Sequence, residues 1–309
     1  MDFSITILGT SSAIPNSQRN PTSQIVNCHN QLFMVDCGEG TQSRLRKNRI
    51  RLSKINHIFI SHLHADHVLG LTGLISTYAL LGRVNTLHIY ANPRLKELIA
   101  YQNTFFNNDL PYTIEFHDLE PEQEAVVFED QTILVKAFPL KHSVPTHGFL
   151  FQEKKRLRKI DKQKVDFYQI PISEIHKIKQ GSNFVTSEGK CIKNKDLTFD
   201  VPKERSYAYC SDTAYYEEIV EKIKGVDILY HEATFCKEDL KRAYQTQHST
   251  SEQASQIAKK AQVGKLLLGH FSTRYKNLNT LLSEAKAIFQ NAEIAEEGTV
   301  YTIDEVLPK

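Results

Sequence analysis

Residues 55–67 read Ile55-Asn56-His57-Ile58-Phe59-Ile60-Ser61-His62-Leu63-His64-Ala65-Asp66-His67. By its length and β-branching, the stretch from Ile55 to Ser61 predicts a buried strand. That strand runs straight into three imidazoles and a carboxylate within six residues. Such groups cannot all be idle core polar side chains without large desolvation costs. Alternation sorts them into two sets: His62 and His64 project together, while Asp66 and His67 follow the turn and face a second position ~3.5–4 Å away, the spacing of a dinuclear metal site. Imidazole with carboxylate suits Zn²⁺, with Mn²⁺ or iron as alternatives. A lone histidine here would read as a polar surface loop, but H-x-H-x-D-H after a buried strand reads as a metal motif.

Four residues are too few to close two metal sites, so further ligands must come from strand ends elsewhere. His142 follows the strand-like run Val135 to Leu140, Asp212 follows Tyr207 to Ser211, and His270 follows Leu266 to Gly269. Each alone is an ordinary polar strand terminus. Together they supply the missing valences, and a carboxylate such as Asp212 can bridge two ions.

The surrounding pattern is mixed. Strands are expected at Ser4 to Leu8, Ser23 to Val26, Leu32 to Val35, Thr86 to Tyr90, Tyr112 to Phe116, Ala125 to Phe128, Thr132 to Pro139 and Gly148 to Phe151. Others are expected at Tyr207 to Cys210, Asp227 to Tyr230, Lys265 to Leu268 and Thr299 to Ile303. Helices are expected at Thr41 to Asn48, along the uncharged stretch Val68 to Gly82, and at Tyr215 to Lys224, Thr250 to Ala261 and Leu278 to Gln290, with Ser249 or Ser251 capping the fourth of these. Strands and helices in this order predict α/β layers rather than a bundle or an all-β sandwich. The Val68 to Gly82 helix reads as a buried core helix. Phe105-Phe106 and Tyr215-Tyr216 read as core rather than as base-stacking platforms. The cluster Arg44, Arg46, Lys47, Arg49, Arg51 and Lys54 reads as a solvated helix end or a track for RNA backbone.

The chain has 309 residues, with 40% hydrophobic and 24% charged, which excludes collagen, bulk disorder and coiled coil and allows a sizeable core. The apolar stretch of 15 residues is shorter than the ~20 a membrane span needs. No basic segment followed by an apolar run marks a secretory signal. The five cysteines are an odd set without a C-x-x-C pair, which favours reduced thiols and a cytoplasmic protein. Net charge is +2, but residues 151–205 hold 14 Lys or Arg against 8 Asp or Glu, so that stretch is +6 and the remainder −4. Lys-rich, and interrupted by Pro171, Gly181 and Gly189, residues 153–202 read as an insertion that projects from the core. It is either a polyanion-binding element or a solvated surface.

Further motifs lie along nearly the whole chain: Gly9-Thr10-Ser11-Ser12-Ala13-Ile14-Pro15, Asp36-Cys37-Gly38-Glu39-Gly40-Thr41-Gln42, His231-Glu232-Ala233-Thr234-Phe235, His248-Ser249-Thr250 and Gly269-His270-Phe271-Ser272-Thr273-Arg274-Tyr275. With the histidine run, this set resembles the metallo-β-lactamase-fold hydrolases and, more narrowly, the ribonuclease Z family of tRNA 3′-processing endonucleases. The resemblance implies a four-layer αββα sandwich forming a single domain over 1–309, with the arm inserted at 153–202. It implies two Zn²⁺ per chain, one held by His62, His64 and His142, the other by Asp66, His67 and His270, with Asp212 bridging. It further implies Asp66 as proton acceptor for the attacking water and His248, oriented by Glu232, as the acid that protonates the leaving 3′ oxygen. Arg274, and Lys154, Lys155, Arg156 and Arg158 in the arm, are the expected substrate contacts. His231 receives no role, and the homodimers of the family make the Val68 to Gly82 helix equally readable as a dimer face.

The expected activity is zinc-dependent cleavage of precursor tRNA 3′ of the discriminator nucleotide by a cytoplasmic homodimer, leaving a tRNA 3′-hydroxyl and a 5′-phosphorylated trailer. Two departures from bacterial relatives stand out. Ser17 occupies the place of a lysine in Pro15-Asn16-Ser17-Gln18-Arg19-Asn20, and the arm lacks most of their glycines and prolines. One alternative is a small-molecule phosphodiesterase or thiolester hydrolase of the same fold; a small substrate needs no basic arm. A non-catalytic RNA-binding homologue is the other, and the complete ligand set argues against it.

Overall fold

Alternation along the strands decides how the chain layers. In Gln31–Cys37, Phe33 and Val35 turn to one face and Met34 to the other; in Ser206–Cys210, Tyr207 and Tyr209 oppose Ala208 and Cys210. Phe33, Val35, Tyr207 and Tyr209 share one buried layer with Phe59, Phe149 and Phe151. Met34 packs instead with Leu71, Leu74 and Ile75, and Ala208 and Cys210 pack with Ala254, Ile257 and Leu281. Two sheets therefore meet face to face, and helices cover both outer faces. Strands buried on both sides read as near-continuous apolar runs, and this is the four-layer α/β sandwich that the resemblance implies. The computed structural model describes residues 2–106 and 109–307.

Among the described residues each sheet has seven strands. The first runs in the order Val300–Thr302, Phe3–Gly9, Ser23–Cys28, Gln31–Cys37, Ile55–Phe59, Leu87–Ala91, Ile114–Asp118, and its last four strands are parallel. The second runs Ala292–Ile294, Lys265–Gly269, Ile228–Glu232, Ser206–Cys210, Thr146–Glu153, Ile133–Leu140, Ala125–Glu129, and its first four are parallel. Loops at the carboxyl ends of such parallel strands are where α/β proteins place their sites.

The expected helix after the histidine run spans Ala65–Leu80; it buries Val68, Leu71, Leu74, Ile75 and Tyr78 and leaves Leu69 and Leu80 exposed. The helix that covers Thr250 to Ala261 in the sequence reading spans Ser251–Lys260. Thr250, not Ser249 or Ser251, caps it: Thr250 Oγ1 accepts from the Gln253 N–H at 3.2 Å, and the Gln253 side chain accepts from the Thr250 N–H at 3.0 Å. Ser249 is diverted to the Thr213 carbonyl. Tyr215 to Lys224 is not a helix; it holds one short 3₁₀ turn, Glu217–Ile219. Ile219 and Ile223 are its fully buried aliphatics, too little apolar contact to offset helix nucleation. A helix over Arg94–Phe105 escapes the sequence reading because Leu95 and Ile99 alone are buried on it. Phe105 and Phe106, expected in the core, are exposed; Tyr215 and Tyr216 pack at the core margin.

Glu153–Arg205, with residues 304–307, forms a second compact unit. Although Lys-rich, it builds its own small core from Ile170, Ile178, Phe184, Ile192 and Leu197. Its ends are clasped by Glu153 and Arg205, whose buried charges meet at 2.8 Å. Against the cost of burial, this guanidinium holds the Glu153 carboxyl at about 2.

Gly70 explains a further constraint on the first unit. A Cβ there would lie 2.0 Å from the Gly38 carbonyl oxygen, so the turn after Cys37 fits under the helix only without a side chain. In an open helix Gly→Ala stabilises by roughly 0.5–1 kcal/mol; here Gly70→Ala is expected to destabilise by about 1–3 kcal/mol, measured by urea denaturation.

Candidate metal centre

Five strand ends deliver the site. His62 and His64 follow Ile55–Phe59, and Asp66 and His67 lie in the first turn of Ala65–Leu80. His142 follows Ile133–Leu140, Asp212 follows Ser206–Cys210, Glu232 ends Ile228–Glu232, and His270 follows Lys265–Gly269. The side chains gather into two groups. In one, donor atoms of His62, His64, His142 and Asp212 all lie within 4.8 Å of one another. His62 Nε2 is 3.0 Å from His64 Nδ1, His142 Nε2 is 3.3 Å from the same atom, and Asp212 Oδ2 is 3.5 Å from His62 Nε2 and 3.7 Å from His142 Nε2. In the other, Asp66 Oδ2 stands 3.4 Å from both His67 Nε2 and His270 Nε2, and Asp212 Oδ1 stands 3.3 and 3.1 Å from those nitrogens. Each Asp212 oxygen thus faces a different group.

These separations are informative. Around a tetrahedral Zn²⁺ with bonds of about 2.0–2.2 Å, donor atoms sit about 3.3–3.5 Å apart. His67 Nε2 is moreover buried without a hydrogen bond, a costly state for a nitrogen that a metal would satisfy. The donor chemistry and the orphaned nitrogen both fit a pair of metal ions.

The far side of four of these imidazoles is held. His67 Nδ1–H donates to Asp36 Oδ2 at 2.7 Å and His142 Nδ1–H to the Gln247 carbonyl at 2.9 Å. His270 Nδ1–H donates to Thr234 Oγ1 at 3.0 Å, and His62 Nδ1–H to Ser61 Oγ, also at 3.0 Å. Such partners fix the tautomer and turn Nε2 to the centre. Asp66 Oδ2 accepts from the Ala13 N–H at 2.8 Å, which gives the Gly9 to Pro15 motif its purpose. Arg19, in the loop that carries Ser17, donates to the Ser272 and Tyr275 carbonyls and so ties that loop to the segment after His270.

Two positioning residues have no role in the sequence reading. Asp36 is fully buried with φ 56, and accepts from the Ser61 N–H at 2.7 Å, Ser61 Oγ at 2.8 Å, Tyr209 OH at 2.5 Å and His67. Thr234 accepts from His270 and donates to Glu232 Oε2 at 2.6 Å. Both belong to quoted motifs, but their partners are distant in sequence.

Glu232 and His248 meet at 2.7 Å, and the Glu232 carboxylate also accepts from the Thr213 N–H at 2.8 Å. The imidazole of His248 lies against those of His142 and His270, with ring centroids 5.0 and 5.4 Å away. Burial opposes its protonation, yet the Glu232 carboxylate raises it to about 9. Burial, with His67 nearby, lowers His62 to about 4. Asp66 and Asp212 sit below the ordinary carboxylate range, because His67 for one and His270 and His67 for the other outweigh the cost of burying them. His231 is buried with Nδ1 on the Glu232 carbonyl.

The expected substrate contacts are mostly engaged elsewhere. Arg274 pairs with Asp239 at 2.7 Å and lies over Phe235. Arg156 pairs with Glu153 and Glu305, and Arg158 with Asp200 at 2.6 Å. Lys154 is half-buried and Lys155 exposed.

Layers, strand-end loops and twin His/Asp donor sets define a metallo-β-lactamase-fold protein. The model for the beta-lactamase superfamily domain matches residues 193–271, and the model for anti-Pycsar protein Apyc1 matches residues 3–163. The metallo-beta-lactamase fold protein YhfI from Bacillus subtilis superposes with a TM-score of 0.69 at 18% identity, over 98% of this chain and 100% of that one. Human tRNase Z, short form, gives a TM-score of 0.72 at 25% identity, over 97% of this chain and 99% of that one. Ribonuclease Z of Bacteroides thetaiotaomicron is 48% identical over 302 residues, 98% of this chain and 96% of that one. The chain belongs to the ribonuclease Z family.

Asp36→Asn removes the charge that holds His67 while keeping the side chain's shape. We expect metal affinity to fall about 10–100-fold, read by competition with a chromophoric chelator.

Proposed function

We propose that the chain is a metal-dependent endoribonuclease that cuts precursor tRNA 3′ of the discriminator nucleotide, leaving a tRNA 3′-hydroxyl and a 5′-phosphorylated trailer. The observation that carries this reading is the pairing of His248 with Glu232 beside two donor sets that share Asp212. His62, His64 and His142 would hold one ion and Asp66, His67 and His270 the other, with one oxygen of Asp212 facing each set. Zn²⁺ is the ion that suits these donors. When bound, two such ions lower the pKa of a water from 15.7 to roughly 7 and neutralise charge that builds on the phosphoryl oxygens.

The chain's own residues supply the proton transfers. Asp66, with one oxygen pinned by Ala13, accepts the proton of the attacking water as its oxygen bonds to phosphorus. The bond to the ribose 3′ oxygen breaks, and His248 donates its proton there. Glu232 keeps that imidazole charged and its ring plane fixed, because all of its own partners are internal.

Exposed lysines of the 153–205 unit engage the tRNA backbone. Lys155, Lys159, Lys162 and Lys164 are exposed, whereas Arg156 and Arg158 serve the unit's own ion pairs. A groove with Ser17 on its wall is lined by both signs of charge, with Arg44 paired to Glu297 at 3.0 Å, and its exposed Lys47, Lys276 and Lys286 offer RNA a second set of cations. A basic unit of this kind also favours tRNA over a small ester. A second copy of the chain is the partner for the exposed Leu69, Leu80 and Leu81. The cytoplasm is the compartment that fits five free cysteines; among the described residues no helix is long and apolar enough to cross a membrane.

Labelled precursor tRNA, incubated with and without chelator and mapped to the nucleotide, tests the reaction. His64→Ala and Asp212→Ala are expected to abolish cleavage and reduce bound metal. His248→Ala is expected to keep metal and tRNA affinity while kcat falls roughly 10²–10⁴-fold; loss of metal instead would make His248 a ligand. Replacing Lys159, Lys162 and Lys164 with Gln is expected to flatten the salt dependence of tRNA binding, by about 0.9 in log–log slope for each duplex phosphate no longer neutralised. Hydrolysis of a small artificial phosphodiester should be unchanged, and an unaltered slope would remove these lysines from the interface.

A further inference from the structure

A second convergence of imidazoles lies away from the strand ends that build the centre. His88 and Glu115 are each the second residue of neighbouring parallel strands, Leu87–Ala91 and Ile114–Asp118, and are directly paired in register. His117 follows two residues after Glu115 on the same face. His88 Nδ1 is 3.1 Å from His117 Nε2, one Glu115 oxygen is 3.5 Å from His88 Nδ1, and the other is 4.0 Å from His117 Nε2. Two nitrogens and a carboxylate thus surround one small volume at nearly the separations found in the centre itself.

The rings are held in place before any ion arrives. His57, the register partner of His88, stacks on it at 4.8 Å with planes 11° apart, and Tyr90 stacks on His117 at 4.4 Å and 13°. His57 has its Nδ1 on Tyr90 OH at 3.2 Å and Phe128 against its ring at 4.5 Å, so it serves as a wall rather than a donor. Burial lowers the His117 imidazole below its ordinary value, which keeps a lone pair available at neutral pH. Side-chain exposures of 27% for His88, 34% for His117 and 55% for Glu115 leave an entry path and room for water to complete the coordination. A hydrogen bond between the two rings alone would account for 3.1 Å but not for a carboxylate with one oxygen turned to each nitrogen.

We propose that His88, Glu115 and His117 form a separate binding site for a divalent transition-metal ion of the Zn²⁺ type. An ion there ties the Ile114–Asp118 edge strand to its neighbour, at a place where, among the described residues, the sheet has no further strand to brace it.

Zinc bound per chain at defined free zinc concentrations, counted by mass spectrometry after dialysis, tests the site. At a free zinc concentration that fills the wild-type chain, His117→Gln is expected to bind one ion fewer, with precursor-tRNA cleavage unchanged. Glu115→Gln alters an exposed carboxylate and so keeps the fold; it is expected to raise the free zinc needed for half-loading of that last ion about tenfold or more. In the wild type alone, zinc added beyond the catalytic loading is expected to raise Tm, as binding only to the folded state requires. Equal zinc per chain in wild type and both variants at every free concentration would overturn the proposal.

Discussion

Asp212 is a carboxylate with almost no access to solvent, and burying that charge is tolerable only if positive charge or its equivalent faces both oxygens. The rest of the centre answers this requirement. One oxygen looks to His62 and His142, the other to His67 and His270. Those imidazoles come from both sheets, so meeting the demands of one side chain fixes how the sheets' parallel ends are brought together. Asp36 repeats the logic one layer further out, where a backbone N–H, two hydroxyls and an imidazole satisfy it.

What could be read beforehand follows from how local each signal is. The run from His62 to His67 is legible because strand, turn and donors are contiguous. His142, Asp212 and His270 are legible because each ends an apolar strand, although no rule of spacing says which ion each one meets. Asp36 lies in plain view within a quoted motif, yet its role rests on a left-handed backbone and on partners up to 173 positions away. Thr234 is similar, a small hydroxyl between His270 and Glu232.

Surroundings that could not be read beforehand share a cause as well. Arg274, Arg156 and Arg158 look like free cations in sequence, whereas Asp239, Glu305 and Asp200 come to them through the fold. The 153–205 unit reads as a Lys-rich projecting insertion because its apolar residues are spread thinly over short elements, and its core forms only when those elements meet. Phe105 and Phe106 carry the opposite lesson: aromatic character marks an interior position only when the helix face agrees, and here it does not.

The order of the donors along the chain has a consequence for biosynthesis. Asp66 and His270 touch the same small volume from positions 204 residues apart, and a ribosome delivers the N-terminal part first. A nascent chain that has exposed His62, His64, Asp66 and His67 still lacks the residues that complete either donor set. It can display imidazoles, but it cannot yet assemble the full machinery for cutting RNA. Completion waits until the second sheet has emerged as far as the loop after Gly269, so the chain is silent toward the RNA around it for most of its own synthesis.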